Sequence, residues 1–296
     1  MAQSAYEKMN IQWFPGHMTK AQRMIEENLK LVDAVAEIID ARIPVSSRNP
    51  DLNQLIQNKP RVILMNKCDM ANRTATKLWI DHYAAQGVTA LAVDCKSGRN
   101  LNQFPAAVNT VMQEKIARMK AKGMKNPTIR VMIVGIPNVG KSSFINRIAK
   151  QNRAKVEDRP GVTRGNQWFT ISKNLEMLDT PGVLWPRFDD KIVGEHLAFT
   201  GAVKDQVVDV ELLAVRLLEF LKSLKPAEFI TRFKLEDMDL DNTDPYELLQ
   251  IIGKKRGMLI SGGEIDTERA AIMLLDEFRA AKLGRITVEM PGGERK

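Results

Sequence analysis

The chain has 296 residues, of which 44% are hydrophobic and 27% are charged, and its net charge is +8. This length suffices for one large and one small domain, each with a hydrophobic core of its own. No apolar run approaches the 18 residues of a membrane span and no signal-peptide segment precedes the first motif, so we expect a cytoplasmic protein without a membrane span. Cys68 and Cys95 fit neither a disulfide framework nor a zinc site, and small apolar lining is favoured over redox sensing.

The positive charge is unevenly distributed. Residues 1–190 carry 28 Lys and Arg against 17 Asp and Glu, a net +11, whereas the remaining residues carry 16 against 19, a net −3. A solvated basic face and contact with an RNA backbone both explain such a surplus, and the asymmetry favours RNA. The surplus is concentrated in two clusters, Lys115, Arg118, Lys120, Lys122, Lys125 and Arg130, then Arg147, Lys150, Arg153, Lys155, Arg159 and Arg164.

The first half of the chain alternates between predicted strands and helices. An N-terminal arm, residues 1–33, ends in an amphipathic helix that follows Pro15-Gly16-His17-Met18. The pattern then predicts strands over 34–40, 61–66 and 88–93 and helices over 49–58, 74–86 and about 101–121. Such alternation indicates a mostly parallel sheet with helices on both faces and with ligand loops at the carboxyl ends of its strands.

The second strand runs directly into Asn66-Lys67-Cys68-Asp69, which matches the N-K-x-D pattern of GTPases. Asn66, Lys67 and Asp69 are therefore candidate nucleotide-binding residues. The Asp69 carboxylate can accept hydrogen bonds from guanine N1–H and from the 2-amino group, whereas adenine offers no such pair of donors. The third strand leads into Asp94-Cys95-Lys96-Ser97-Gly98, where GTPases place a loop whose backbone N–H meets guanine O6. Cys95 and Lys96 are assigned to that role by position, since only Lys96 agrees in sequence.

The stretch from Gly135 to Ser142 fits G-x-x-x-x-G-K-[ST], with an apolar strand before it and an amphipathic helix after it. Its glycines permit a backbone whose N–H groups surround phosphate oxygens, at the positive end of the helix. We expect Lys141 to reach the β and γ phosphates and Ser142 to ligate Mg²⁺. The candidate nucleotide-binding residues here are Asn138, Val139, Gly140, Lys141, Ser142 and Ser143.

Two further fragments complete a predicted metal and γ-phosphate site. In Asp179-Thr180-Pro181-Gly182, Asp179 is expected to hold the metal and the Gly182 N–H to meet the γ-phosphate. Thr163, in the Pro-Gly-rich segment between the two motifs, is the candidate that ligates Mg²⁺ and senses the γ-phosphate. A surface loop would show a similar composition. The position of Thr163 between the two metal motifs favours the role in metal binding.

From about residue 192 the apolar spacing becomes helical. The pattern predicts helices over 207–222, from an N-cap at Asp244, and from Asp266 or Thr267 up to Gly284. We therefore expect a GTPase-type domain over residues 1–190 and an all-helical domain over residues 191–296.

The order of the motifs along the chain is unusual. In Ras-like GTPases N-K-x-D follows the phosphate-binding motif, but here it precedes that motif by about 70 residues. The chain resembles a circularly permuted GTPase. From Pro15-Gly16-His17-Met18 to the segment 284–289 it resembles the ribosome biogenesis GTPase A family (RbgA/YlqF), over nearly its whole length.

This resemblance implies an α/β fold, namely a doubly wound, mostly parallel P-loop GTPase sheet with a C-terminal all-helical domain. It also implies a GTP-hydrolysing factor for late maturation of the large ribosomal subunit, whose partners are the subunit precursor and rRNA rather than DNA, and which acts as a monomer. The helical domain resembles RNA-binding antiterminator modules. Its local basic group, Lys254-Lys255-Arg256, fits either RNA contact or an ordinary helix-end charge cluster.

The resemblance also bears on catalysis, in which Lys141 and Thr163 would stabilise the transferred phosphoryl group. Val183 occupies the position of the water-orienting glutamine and cannot replace it. The family's candidate is His17, which can orient or accept a proton from water, although it could instead pack the first helix. Asn138 matches an asparagine that related GTPases use to bind K⁺, and the alternative is a loop asparagine bonded to its own backbone.

Two other functions stay open on the sequence. A nucleotide-regulated RNA-binding scaffold with little catalysis is consistent with Val183, and an ATP-dependent RNA enzyme would bind ATP in competition with GTP. Measuring phosphate release distinguishes the scaffold from a GTPase. Asp69→Asn distinguishes the ATP-dependent enzyme from a GTPase, since only a guanine site would shift its preference toward xanthine nucleotides.

Overall fold

The structure is a computed structural model that describes residues 16–56, 59–152, 168–180 and 191–292. The described residues group into two compact units. One contains residues up to 180 together with 289–292, and the other contains residues 191–288. Residues 181–190 lie outside the described part, so the predicted boundary at residue 190 stays a prediction.

The larger unit is built on one six-stranded sheet with the order β3-β2-β1-β4-β6-β5. Neighbouring strands are parallel except for the edge strand β5, which is antiparallel to β6. All seven residues of β1 are buried, as expected for a strand with covered faces on both sides. The strands are β1 Ala34–Asp40, β2 Arg61–Asn66, β3 Thr89–Ala92, β4 Ile129–Val134, β5 Trp168–Ser172 and β6 Leu175–Asp179.

The α-helices of this unit are α1 Gly16–Leu29, α2 Pro50–Ile56, α3 Arg73–Ala85, α4 Phe104–Val111, α5 Gln113–Ala121 and α6 Lys141–Asn152. One apolar cluster joins α1 and α2 to β1, β4 and β6, and a second joins α3 to β1, β2 and β3. Elsewhere α4 meets α6 through an edge-to-face contact of Phe104 and Phe144, whose ring centroids are 5.1 Å apart. Burial of these apolar faces is the main stabilising term of the unit.

The strand register brings the predicted motifs to one edge of the sheet. Asp40, the last residue of β1, pairs with Asn66, the last residue of β2. Asp179, the last residue of β6, pairs with Ile133 near the end of β4. The loops that follow these parallel strands therefore leave the sheet on the same side. The predicted fold class is confirmed, with the strand that carries N-K-C-D preceding the phosphate-binding strand in the chain.

In the described part of residues 191–288 the regular structure is helical. Its α-helices are α7 Lys191–Phe199, α8 Val210–Leu224, α9 Ala227–Phe233, α10 Pro245–Lys255 and α11 Thr267–Arg279. Asp244 caps α10 and Asp266 caps α11, as the sequence predicts. The Glu277 carboxylate accepts hydrogen bonds from Arg232 on α9 and forms a 3.7 Å ion pair with Arg256, which ties three helices together.

Two predicted helices differ from the structure. The helix predicted over 101–121 is interrupted at Met112, because the apolar face of α4 packs on the sheet whereas α5 buries none of its residues. The helix predicted to end at Gly284 ends at Arg279 instead. Ala281 takes the left-handed conformation (φ 56°) that terminates a helix, and the Lys282 N–H donates to the Glu277 carbonyl.

Among the described residues, no helix combines the length and the apolar character that a membrane span requires.

Candidate nucleotide-binding site

The phosphate loop, residues 135–140, is a tight turn between β4 and α6. Gly135 and Gly140 have φ values of 155° and 102°, a region that favours glycine. A Cβ on Gly135 would lie 2.5 Å from the Ile38 carbonyl oxygen, so the loop starts directly against β1. Lys141 donates hydrogen bonds from Nζ to the carbonyls of Gly135 (2.9 Å) and Ile136 (3.1 Å). These two bonds fix its ammonium inside the loop.

Asn66 joins the phosphate loop to the segment predicted to bind guanine. Its Nδ2 donates to the Val139 carbonyl at 2.6 Å, and its Oδ1 accepts from the Cys95 N–H at 2.9 Å. The side chain is 4% exposed, so both bonds are shielded from water. Three segments that are far apart in the chain thus meet at one side chain.

The same side chain explains the need for glycine at position 140. A Cβ there would lie 2.2 Å from Asn66 Nδ2, a separation that no side chain tolerates without displacement. The backbone of the phosphate loop at position 140 therefore lies directly against the side-chain amide of Asn66.

The third-strand loop, residues 94–98, is held from two sides. Asp94 Oδ1 accepts the N–H groups of Lys96 (2.8 Å) and Ser97 (3.2 Å). Arg147, from the helix after the phosphate loop, donates a hydrogen bond to the Ser97 carbonyl. Sequence reasoning missed both roles. An Asp followed within four residues by glycine was a local signal for the turn, whereas the Arg147 contact had no local signal.

Charge is concentrated around Lys141. Burial lowers the pKa of its ammonium to about 8, and the Asp179 carboxylate acts in the opposite direction. Burial raises the pKa of Asp179, and Lys141 counteracts that effect. The two charges are thus close enough to interact. An additional anion beside Lys141 would favour its charged form, which is the electrostatic requirement of a phosphate site.

The donor set at this edge fits Mg²⁺. Asp179 is half-buried at the end of β6, and Ser142 is exposed in the first turn of α6. Carboxylate and hydroxyl oxygens, completed by phosphate and water, are the ligands that Mg²⁺ prefers. Thr180 anchors the end of β6 by donating its hydroxyl to the Ile133 carbonyl.

Asp69 is half-buried. No hydrogen bond or ion pair within the described ranges uses its carboxylate, whose charge acts on Arg42 nearby. The acceptor pair proposed for guanine is therefore not occupied by a side chain of the described part of the protein.

Comparison with known proteins also indicates a GTPase. Residues 130–249 match the sequence model of a family described as 50S ribosome-binding GTPase. Ribosome biogenesis GTPase A of Priestia megaterium (strain DSM 319 / IMG 1521) is 48% identical over 284 residues, which cover 96% of this chain and 98% of that protein. The chain belongs to the ribosome biogenesis GTPase A family.

The chain is also similar to more distant members of the family over most of its length. Ribosome biogenesis GTPase A of Thermotoga maritima is 29% identical over 94% of each chain. A crystal structure of GNP-bound YlqF from T. maritima superposes with a TM-score of 0.65 at 26% identity, covering 93% of this chain and 100% of that chain. A GDP-bound structure of the same protein gives a TM-score of 0.64.

Membership in the ribosome biogenesis GTPase A family confirms the resemblance inferred from motif order. The family match at residues 130–249 begins at the phosphate-binding strand and does not include the N-K-C-D segment, which this chain carries earlier. Membership also favours guanine over the ATP-dependent alternative.

Several predicted site residues of this family member lie outside the described part of the chain or have side chains that are not described. His17 falls in the first turn of α1, but its side chain is not among those described, and Thr163, Gly182 and Val183 lie in undescribed segments. Their roles stay predictions. The roles of the other assigned residues also stay predictions, although the structure brings Asn66, Cys95 and Val139 into contact.

The cysteines behave as inert packing groups. Burial raises the pKa of the Cys95 thiol to about 12 and also raises the pKa of Cys68. Because the thiolate is the reactive form of cysteine, neither is suited to redox sensing near neutral pH. This agrees with the small apolar lining predicted from the sequence.

Proposed function

We propose that the chain binds GTP at the edge formed by the phosphate loop, the N-K-C-D segment and the third-strand loop, and hydrolyses it as an assembly factor in late maturation of the large ribosomal subunit. The observation that carries this proposal is the pair of hydrogen bonds made by Asn66 to Val139 and Cys95. They bring a phosphate-binding and a base-binding segment to one site despite their reversed order in the chain.

In this proposal each motif has a separate task. Asp69 accepts the two N–H donors of guanine, and the backbone at Cys95 and Lys96 meets the base oxygen. The phosphate-loop N–H groups, continued by Ser142 and Ser143 in the first turn of α6, surround the phosphates, and Lys141 neutralises them.

Mg²⁺ would be held by Ser142, Thr163 and Asp179, with the Gly182 N–H on the γ-phosphate. When bound, the metal neutralises charge that develops on the phosphate oxygens. Together, these four residues would also hold the γ-phosphate in one orientation relative to the attacking water.

Hydrolysis needs a group that orients water, because Val183 cannot. We assign this task to His17, and we assign K⁺ binding to Asn138. Asn138 is exposed in the phosphate loop and has a left-handed backbone φ of 62°. A potassium ion there would add positive charge beside the phosphates without an arginine.

Contact with rRNA is supported by exposed basic residues near the end of α5 and just after it. Arg118, Lys120, Lys122 and Lys125 are exposed, and they form no ion pair with any described residue. By contrast, Lys115 is paired with Asp33 and Arg130 with Glu176. The basic group of the helical unit is largely engaged as well, since Lys255 donates to the Lys234 carbonyl and Arg256 pairs with Glu277. We therefore place the RNA backbone contact on α5.

The proposal is tested first by phosphate release under multiple turnover, in K⁺ and in Na⁺ buffer, with and without large ribosomal subunits. We expect slow release by the protein alone, faster release with subunits in K⁺, and loss of that stimulation in His17→Ala. Unchanged turnover in His17→Ala would remove this residue from the mechanism. GTP binding without turnover in any condition would establish the scaffold alternative instead.

Sedimentation of cell extract tests the partner. With a non-hydrolysable GTP analogue, the protein should travel as a monomer bound to large-subunit particles. The double variant Lys120→Gln/Lys122→Gln should sediment less with the particles, and its binding should fall less steeply with salt than that of the wild type, because it makes fewer phosphate contacts. Arg73→Gln/Lys77→Gln, which neutralises two exposed charges on α3, is the matched control. Equal loss in both variants would contradict a specific surface on α5.

A further inference from the structure

The carboxylate at the end of β1 lies beside the N-K-C-D segment and is used by no motif described above. Asp40 is 2% exposed. Its Oδ2 accepts hydrogen bonds from Lys67 Nζ at 2.9 Å and from Arg42 Nη2 at 2.7 Å. Its Oδ1 accepts from Arg42 Nε and from the Arg42 backbone N–H, both at 3.0 Å. One buried carboxylate therefore holds two cations, one of which belongs to the proposed guanine segment.

Lys67 needs such a support. Its backbone has a φ of 60°, a left-handed conformation that costs a lysine free energy, and its side chain has four rotatable bonds. The backbone is held on both sides, because the Ala41 N–H donates to the Asn66 carbonyl (2.8 Å) and the Met70 N–H donates to the Lys67 carbonyl (2.9 Å). The ammonium is fixed by Asp40. The side chain is still 23% exposed, so it remains accessible from the site.

Arg42 secures the carboxylate in turn. Its guanidinium binds both oxygens of Asp40 and is itself 2% exposed. Such a two-point grip fixes the plane of the carboxylate as well as its position. Burial raises the pKa of Asp40, but Arg42 and Lys67 together outweigh it and hold that pKa well below its usual range. Asp40 is therefore charged at physiological pH.

We propose that Asp40 and Arg42 are positioning residues for guanine nucleotide binding: Asp40 fixes the Lys67 ammonium in the orientation that meets the nucleotide, and Arg42 fixes Asp40. This inference rests on the proposed function, because it takes Lys67 as a nucleotide contact. Neither residue touches the nucleotide itself. Their contribution is to remove the freedom that Lys67 would otherwise lose on binding.

The same strand offers a matched control. Glu37, three residues before Asp40 in β1, is 1% exposed and also holds two cations, Arg48 at 3.0 Å and Arg61 at 3.4 Å. None of these three residues belongs to a nucleotide motif. Glu37→Gln and Asp40→Asn each remove one buried carboxylate charge from two partners, so they share any general loss of stability.

The test is GDP affinity by isothermal titration calorimetry on the full chain with Mg²⁺, with circular dichroism to verify folding. We expect Asp40→Asn and Lys67→Met each to weaken binding about tenfold, the effect of one lost charge-assisted interaction. In the double variant the loss should stay near tenfold, because Asp40 acts only through Lys67. Glu37→Gln should stay within about twofold of the wild type.

Three results would overturn the inference: unchanged affinity in Asp40→Asn, a full additional loss when Asp40→Asn is added to Lys67→Met, or an equal loss in Glu37→Gln. If Asp40→Asn does not fold, Arg42→Lys replaces it, since lysine keeps the charge but not the two-point grip. Unchanged affinity in that variant would be equally decisive. Absence of GDP binding by the wild type would overturn the proposed function itself, so the two failures are distinguishable.

Discussion

Asn66→Ala is the substitution that addresses the junction between the phosphate loop and the base-binding segments. It leaves the Val139 carbonyl without its side-chain donor and the Cys95 N–H without its acceptor. Val139 and Cys95 are 1% and 3% exposed, so water cannot readily replace either bond. An unsatisfied buried polar group costs about 1–3 kcal/mol. The two together predict a loss of about 2–6 kcal/mol in the free energy of unfolding of the larger unit.

The assay is urea-induced unfolding, combined with GDP titration on the same preparations. The control is Asn72→Ala, which removes the side-chain cap of α3, in which Asn72 Oδ1 accepts the Ala75 N–H at 3.0 Å. Loss of such a cap costs about 1 kcal/mol and leaves the nucleotide site untouched. We expect Asn66→Ala to be clearly less stable than Asn72→Ala and to bind GDP at least about tenfold more weakly.

Asn66→Ala would contradict this prediction if it lost no more stability than Asn72→Ala and kept the wild-type affinity for GDP. In that case the two bonds would be replaceable by water, and they would not join the loops energetically.

Further predictions concern the phosphate loop. Gly140→Ala should destroy GDP binding, because its Cβ would lie 2.2 Å from Asn66 Nδ2. The control is Gly123→Ala, which has a comparable φ of 89° and no atom within 4 Å of its Cβ. This control should cost only about 1 kcal/mol of stability and leave GDP binding intact. Equal binding in the two variants, measured by titration, would contradict the close approach. GDP binding should depend on pH through Lys141. Burial lowers the pKa of Lys141 to about 8, and bound phosphate favours its protonated form. The affinity for GDP should therefore fall as pH rises above 8, by up to about tenfold per pH unit. Titration in buffers of different ionisation enthalpy should show proton uptake that increases as pH rises through about 8, and no such rise in Lys141→Arg, which stays charged.

The sheet could be predicted from the sequence because its signals are local. Each buried strand is a short apolar run, and three of them run directly into a recognisable loop: β2 into the N-K-C-D segment, β4 into the phosphate loop and β6 into the segment that begins with Asp179. Parallel strands between helices then place those loops on one edge. Motif order alone indicated the permutation.

Contacts between distant residues could not be predicted in the same way. The bond from Asn66 to Val139 spans 73 positions, and the N-K-x-D pattern gave no reason to expect it. The proposed positioning role of Asp40 could not be predicted, because an aspartate at the end of a strand is equally typical of a turn. The left-handed Ala281 was missed for a related reason, since alanine lacks the sequence signal that glycine gives at a helix end.

The grouping of the last described residues could not be predicted from the sequence. The spacing assigns residues 191–296 to one helical domain, yet residues 289–292 group with the sheet-containing unit. The Glu289 side chain accepts the backbone N–H groups of Val45 and Ser46, and its carbonyl accepts Trp79 Nε1–H at 2.8 Å. Only the folded chain brings these positions together, since they are more than 200 residues apart.

The central claim is that two segments met in reversed order along the chain form a single guanine nucleotide site. Its most direct measurement is the affinity of wild type and Asp69→Asn for GDP and for xanthosine diphosphate, with Lys141→Met as the phosphate-side control. We expect Asp69→Asn to reverse the preference toward the xanthine nucleotide, and Lys141→Met to weaken the binding of both nucleotides. Retention of the wild-type preference for GDP by Asp69→Asn would contradict the central claim.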